Sequence, residues 1–478
     1  MDDYNIILGR NIKATQRYIE VINPATEEKI ARFPDADTIL VDEAMALARK
    51  TQKQWGKTSF KERKEVLRTI ASGLLESVKT LAELETREIG KCFKESLFVD
   101  VPLGAECFTY YASFLDTLTL PQERQADTLD MVEYVPYGVA GIYLPYNVPL
   151  MIFGFTASAA IAAGNTVIVK PSEYASLSML ECANIFQKLD IPEGLITVVT
   201  GRGETVGKHL AATDVDIISF TGSERTVKDI ISASVAHPKK IISELGGCNL
   251  SVIFSDANVE EAAQNLLGSA FIKQGQMCIG TSVALIHEDA YGRVLAILKD
   301  KLQKIKVGNP FDSAVGIGPL PSKQRVEDLD RRVQQMIKSG AKCLCGGKRL
   351  SGKGFFYAPT ILEIQDMCYA EFFAPVLLVK SFKNDDELRS LVQNNPTGLV
   401  AQIWTEDLRK AQAWSRQIDA GTVWVNSFAQ MSPGMPFGGI KRSGWGTSLG
   451  MYGFLEYSHM KHIGINFVKS KVSGWFGV

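Results

Sequence analysis

No Cys-x-x-Cys pair occurs anywhere in this chain, and its eight cysteines are scattered through 478 residues. That pattern gives no disulfide framework and no zinc ribbon, and it fits a reducing compartment. The close pair Cys343-Leu344-Cys345 lacks the further ligands a zinc site needs, so no metal is expected. Histidine is scarcer still: His209, His237, His287, His459 and His462 are the whole set. None is near a cysteine in sequence, which weakens a Cys–His hydrolase reading without excluding it. Charge of one sign is also missing. The formal net charge is −1 and the pI about 6.6, so no basic field exists to attract nucleic acid. Long apolar runs are absent too. The nearest, residues 148–163, is too short to span a bilayer and contains Gly154, Thr156 and Ser158, so no membrane association is expected. The opening Met1-Asp2-Asp3-Tyr4 has no apolar core, and a cytoplasmic location without a secretory leader is the expectation.

What is present is the texture of a large α/β protein. At 46% hydrophobic and 22% charged residues, the chain can bury two or three substantial cores. Residues 41–55 and 61–88 carry apolar side chains at helical spacing, with Leu67, Ile70, Leu74, Leu75 and Val78 on one stripe. Beyond Pro136, short apolar runs at 139–144, 166–169, 195–200 and 216–220 alternate with helical stretches at 148–163, 176–189 and 204–212. Repeated strand-helix-strand order implies a doubly wound parallel sheet, and ligands of such sheets sit beyond the carboxyl ends of the strands.

Those strand ends carry polar groups. The second run ends in Lys170-Pro171-Ser172-Glu173, a cation and a carboxylate able to bind hydroxyls. The third leads into Gly201-Arg202-Gly203-Glu204-Thr205-Val206-Gly207, a GxGxxxG that differs from the dinucleotide fingerprint and reads first as a glycine-rich turn. The fourth ends in Phe220-Thr221-Gly222-Ser223, whose amides and hydroxyl at a turn into a helix suit a pyrophosphate.

Two further segments suggest chemistry. Gln274-Gly275-Gln276-Met277-Cys278-Ile279-Gly280 sets one cysteine between glycines, as a nucleophile is presented, although most such thiols are inert small hydrophobes. Upstream, Glu244-Leu245-Gly246-Gly247 places a carboxylate beside a glycine turn, either a candidate general base or a solvated glutamate.

Together with Leu144-Pro145-Tyr146-Asn147-Val148-Pro149-Leu150 and Pro436-Phe437-Gly438-Gly439-Ile440-Lys441-Arg442-Ser443-Gly444, these segments resemble the aldehyde dehydrogenase superfamily, from Asn23-Pro24-Ala25-Thr26 to beyond Gly446. The resemblance implies an NAD(P)-dependent, non-acylating enzyme: Cys278 as nucleophile, Asn147 as oxyanion donor and Glu244 as the base that hydrolyses a thioester. It further implies cofactor contacts from Lys170, Ser172, Glu173, Gly203, Gly207, Phe220, Ser223, Leu245, Glu371 and Phe373. NAD is the preferred cofactor, because Glu173 would repel a 2′-phosphate, and NADP remains possible through Lys170 and Ser172. Val148, Met151, Ile152, Phe155, Met277 and Ile279 would line an apolar substrate pocket for medium-sized aliphatic or aromatic aldehydes. Relatives acting on carboxylate-bearing semialdehydes tend to carry a cation in the helix after Asn147, where this chain has Phe155 and Thr156. A semialdehyde enzyme, an inactive binding protein on the same fold and a cofactor-free thiol hydrolase stand as alternatives.

The fold implied is α/β: a doubly wound parallel-sheet cofactor domain (1–116 and 138–244), an α/β catalytic domain (245–444) and a small β oligomerisation element (117–137 and 445–478). The alternating segment 457–463 reads as a strand, and the resemblance implies that it joins a neighbouring subunit's sheet, giving a homodimer or homotetramer. Tyr146 departs from the family's usual tryptophan, Val227 and Ala374 from its glycines, and Val283 from a frequent arginine.

Overall fold

The computed structural model describes residues 2–13 and 15–468. Its first sheet is parallel in five strands, β1 (Val139–Tyr143), β2 (Thr166–Lys170), β3 (Ile196–Val198), β4 (Ile217–Gly222) and β5 (Lys240–Leu245), in the order β3-β2-β1-β4-β5. Gly444–Trp445 adds a short antiparallel edge beside β5. Strand order reverses between β1 and β4, which opens a crevice beyond their carboxyl ends. β1 and β2 are buried at every position, as expected of strands covered on both faces.

The second sheet contains β6 (Asn249–Ile253), β7 (Thr281–His287), β8 (Lys342–Cys345), β9 (Thr360–Glu363), β10 (Val376–Phe382), β11 (Val400–Trp404) and β12 (Thr422–Val425). Their order is β8-β9-β10-β7-β6-β11-β12, all parallel except β8. Only Gly246-Gly247-Cys248 separates β5 from β6, so the carboxyl end of one sheet meets the amino end of the other. A third, antiparallel sheet joins Gln122–Arg124, Thr128–Pro136 and Ser458–Asn466. Residues 469–478, assigned to the oligomerisation element in the sequence reading, lie outside the described residues.

Four helices matter for the site: α1 (Val101–Thr117), α2 (Pro149–Ala163), α3 (Glu224–Ala233) and α4 (Val259–Phe271). The apolar run that was too short for a membrane is α2, buried along its whole length. It lies against α1 at a glycine crossing, where a Cβ on Gly154 would stand 2.3 Å from the Gly104 carbonyl oxygen. That close approach fixes the start of α2, and with it Asn147. The helical stretch read at 61–88 is two helices, Phe60–Glu76 and Val78–Ile89, because the chain turns at Ser77. The glycine-rich segment after β3 forms a single wide turn, Gly203–Gly207, leading into Lys208–Ala212. No helix among the described residues is long and apolar enough to cross a membrane.

Candidate active site

Cys278 sits on the turn between α4 and β7. Lys273, Gln274 and Gly275 precede it in consecutive left-handed conformations (φ 52°, 57° and 68°). Gly275 permits a close pass, since a Cβ there would lie 2.2 Å from the Ala374 carbonyl oxygen. Asn249, the first residue of β6, steadies the far side: its Nδ2 donates to the Cys278 and Gly280 carbonyls at 2.6 and 2.9 Å. The thiol is half-buried at the cleft wall. Burial pushes it up to about 12, with the Glu244 and Glu371 carboxyls adding to the effect.

Asn147 lies between β1 and α2 and is buried. Its Nδ2 donates to the Gln276 carbonyl at 2.8 Å, which leaves a second proton on the same amide. Glu244 occupies the penultimate position of β5, so it is a buried strand residue rather than a residue of a loose glycine turn. Its Oε1 accepts from Ser448 Oγ at 3.3 Å, and its Oε2 has no hydrogen-bond partner among the described residues. Burial raises the Glu244 carboxyl well above the usual carboxylate range and the nearby Glu456 adds, against the Ser448 hydroxyl and the Gly439 amide.

A cleft of about 1140 Å³ runs along the carboxyl edge of the first sheet, and its lining includes Cys278, Asn147 and Glu244. Lys170, Ser172, Glu173, Gly203, Gly207, Phe220, Ser223, Leu245, Glu371 and Phe373 line it as well. Lys170 Nζ donates to the Pro171 carbonyl at 2.8 Å and lies 3.9 Å from Glu173. Ser223 caps α3, accepting from Thr226 N at 3.2 Å. Tyr143 Oη donates to the Gly207 carbonyl at 2.8 Å, pinning the wide turn to the sheet. Among the described residues, none but its chain neighbours comes within 4 Å of the place a Cβ would take on Gly203, so that backbone is open to close approach. Burial lifts Glu371 to about 7, opposed by the Gly247 amide, Arg332 and Arg325. Carboxylates able to accept from hydroxyls, an open glycine turn, a capped helix start and several cations around one large cleft suit a dinucleotide.

Comparison with known proteins agrees with the geometry. The model of the aldehyde dehydrogenase family matches residues 12–463. The chain belongs to the aldehyde dehydrogenase family. It is an enzyme, and its reaction is the oxidation of an aldehyde. A mitochondrial aldehyde dehydrogenase of Leishmania tarentolae is 35% identical over 93% of this chain and 91% of its own length. A betaine aldehyde dehydrogenase of Bacillus subtilis is 34% identical over 98% of each chain. The crystal structure of PnpE from Pseudomonas sp. WBC-3 superposes with a TM-score of 0.95 at 32% identity over 100% of both chains. A crystal structure of PnpE in complex with nicotinamide adenine dinucleotide covers 99% of both chains, with the same TM-score of 0.95 and identity of 32%.

Within this aldehyde dehydrogenase, the six pocket candidates separate. Val148 and Ile152 line the large cleft; Ile152 and Phe155 line a smaller cavity of about 20 Å³ with Thr156, Leu399, Phe437, Ser448, Glu244 and Cys278. Met151, Met277 and Ile279 line neither and belong to the surrounding hydrophobic core. Met151 is one residue, about 100° of helix, away from Ile152, which turns it off the cavity face.

The aldehyde dehydrogenase cleft also holds residues that pattern reading passed over. Arg325 and Arg332 both line it, seven positions apart on the helix Lys323–Lys338. That spacing, two turns on one face, was the available signal. Arg325 donates to Tyr146 Oη at 3.2 Å, and Tyr146 Oη donates to Gln276 Oε1 at 2.9 Å. The tyrosine that departs from the family pattern therefore ties the Asn147 segment to the Cys278 segment. Ser448 lies 204 positions from Glu244, and no local pattern marks it.

Proposed function

We propose that this chain oxidises an aldehyde to its carboxylic acid through a thioester on Cys278, with NAD as preferred hydride acceptor and NADP as a possible one. Cys278 gives up its thiol proton to solvent in the cleft, and Sγ bonds to the carbonyl carbon as the C=O double bond opens to an oxyanion. The oxyanion so formed takes the free Asn147 Nδ2 proton and the Cys278 backbone N–H as donors; losing one such donor costs about 10²–10³ in rate. A nicotinamide held in the cleft beside Glu371 and Phe373 would supply the acceptor for the hydride that the carbon gives up. Glu244 then removes a proton from the water that attacks the thioester; the C–S bond breaks, the acid leaves, and Glu244 returns that proton to sulfur, restoring the thiol. Presence of that carboxylate favours hydrolysis over acyl transfer to another thiol. The observation that carries the reading is that Cys278 and Glu244 wall both cavities, while Asn147 opens on the larger. Cys278→Ala should abolish NADH formation, by at least 10³-fold, while calorimetry still detects NAD binding; substantial residual turnover refutes the assignment.

For the cofactor we assign Lys170, Ser172 and Glu173 to the adenosine ribose, Gly203, Gly207, Phe220, Ser223 and Leu245 to the stretch between, and Glu371 and Phe373 to the nicotinamide end. Support comes from their common place on one cleft and from the dinucleotide complex of PnpE. We propose medium-sized aliphatic or aromatic aldehydes as the substrate class, because Ile152, Phe155, Leu399 and Phe437 give the inner end of the site apolar walls and Glu244 is the one charged residue of its described lining.

We further assign residues 1–116 and 138–244 to the cofactor domain, 245–444 to the catalytic domain, and 117–137 with the tail to a bridging element. The strand Ser458–Asn466 is an edge of the third sheet and exposes Met460 and Ile465, which supports self-association as a homodimer or homotetramer.

A further inference from the structure

Beneath the nucleophile turn lies a cluster of buried charges that the reaction above does not use. Lys91, Glu85, Asp100 and Lys273 are each no more than 2% exposed. Lys91 Nζ lies 2.5 Å from Glu85 Oε2 and 2.8 Å from Asp100 Oδ2; Lys273 Nζ lies 2.9 Å from Asp100 Oδ1. Two carboxylates thus face two ammonium groups. Glu95 closes the underside, accepting from the Lys273 amide at 3.0 Å and the Cys92 amide at 3.2 Å.

Two contacts connect this cluster with the chemistry. Lys273 is the first of the three left-handed residues before Cys278, and a side chain larger than glycine in that region is strained and persists only where its surroundings hold it. Lys91 Nζ also donates to the Asn147 carbonyl at 3.3 Å. One carboxylate, Asp100, is therefore shared by the lysine that starts the nucleophile turn and the lysine that grips the oxyanion residue's backbone.

We infer that Lys273 is a positioning residue: pinned by Asp100, it holds the strained turn that presents Cys278 and, through Lys91, sets that turn in register with Asn147. This rests on the assignment of Cys278 and Asn147 made above. A thiol displaced by about 1 Å from its line of attack loses on the order of 10²-fold in rate, whereas uniform binding of the aldehyde changes little.

Steady-state turnover of Lys273→Met, Lys273→Arg, Asp100→Asn and the double variant Lys273→Met with Asp100→Asn provides the test, at a temperature where circular dichroism shows each one folded. Lys273→Met should lose 10- to 100-fold in kcat with the aldehyde KM and the calorimetric Kd for NAD within threefold. Lys273→Arg should keep at least a third of wild-type kcat, and the double variant should lose no more than the worse single one, because both act through one contact. A folded Lys273→Met with kcat within twofold of wild type overturns the inference, as do additive losses in the double variant. Should Lys273→Met fail to fold, the double variant decides: it leaves Lys91 paired with Glu85, and wild-type kcat in it is equally fatal. Failure of the underlying assignment is distinguishable, since an active Cys278→Ala enzyme would refute the nucleophile whatever Lys273 does.

Discussion

At Glu244 the surroundings, more than the residue type, set the chemistry. A buried carboxyl with one oxygen on Ser448 and the other unpartnered among the described residues is raised above the usual carboxylate range. A raised acid is protonated at low pH and becomes a base only as pH climbs through its elevated pKa. Turnover limited by thioester hydrolysis should therefore rise with pH well beyond the range of a solvent-exposed glutamate, approaching about tenfold per unit on the acid limb. Ser448→Ala removes a hydroxyl that favours the charged form, so that limb should move to higher pH; a stopped-buffer series of kcat from pH 5 to 9 reads the displacement, and a limb at the same pH in both proteins counts against Glu244 as base. At this scale Cys278 and Glu244 were marked as candidates by their glycine-flanked runs, and Asn147 by the family resemblance alone. Ser448, Arg325 and the tie of Lys273 to Asp100 were not, because their partners lie far along the chain and only the fold brings them together.

Among the elements, α2 has the strictest requirement. Its residues Ile152, Phe155 and Thr156 face the cavities while Gly154 meets Gly104 of α1 backbone to backbone. Gly154→Ala puts a methyl group where none fits, at a cost of about 1–3 kcal/mol, and should lower the melting temperature by several degrees; it should also weaken turnover, because Asn147 leads directly into α2. A variant with unchanged melting temperature would show that the helices separate freely. The parallel strands were readable from short apolar runs bounded by polar turns, and β1 to β4 begin and end within a few residues of the expected places. Helix ends were harder. The turn at Ser77 and the wide turn at Gly203–Gly207 keep their helical apolar spacing, so periodicity alone runs through the first and starts the second helix early.

Over the whole molecule, two parallel sheets meet end to end at Gly246-Gly247, and the site lies at their junction. The third sheet is of another kind. Its nine-residue outer strand Ser458–Asn466 pairs with Thr128–Pro136 on one side and leaves Met460 and Ile465 exposed at 74% and 39%. Placing charge there, as Met460→Glu with Ile465→Lys, should convert the native assembly to a smaller one in sedimentation velocity. A wild-type protein that sediments as a monomer contradicts the proposed oligomer. Alternation of apolar and polar residues marked this strand in the sequence; a second copy's side of the proposed interface could not be read there, since one chain holds only half of it.

In the proposed reaction the aldehyde carbon becomes bonded to Cys278 Sγ and is released by Glu244. Intact mass spectrometry of Glu244→Gln, quenched seconds after mixing with an aldehyde and NAD, addresses it most directly. The expected result is a gain equal to one acyl group per chain, mapped by peptide digestion to Cys278, with steady-state turnover down by about 10²–10³-fold. An unmodified thiol in a variant that still turns over at the wild-type rate contradicts it.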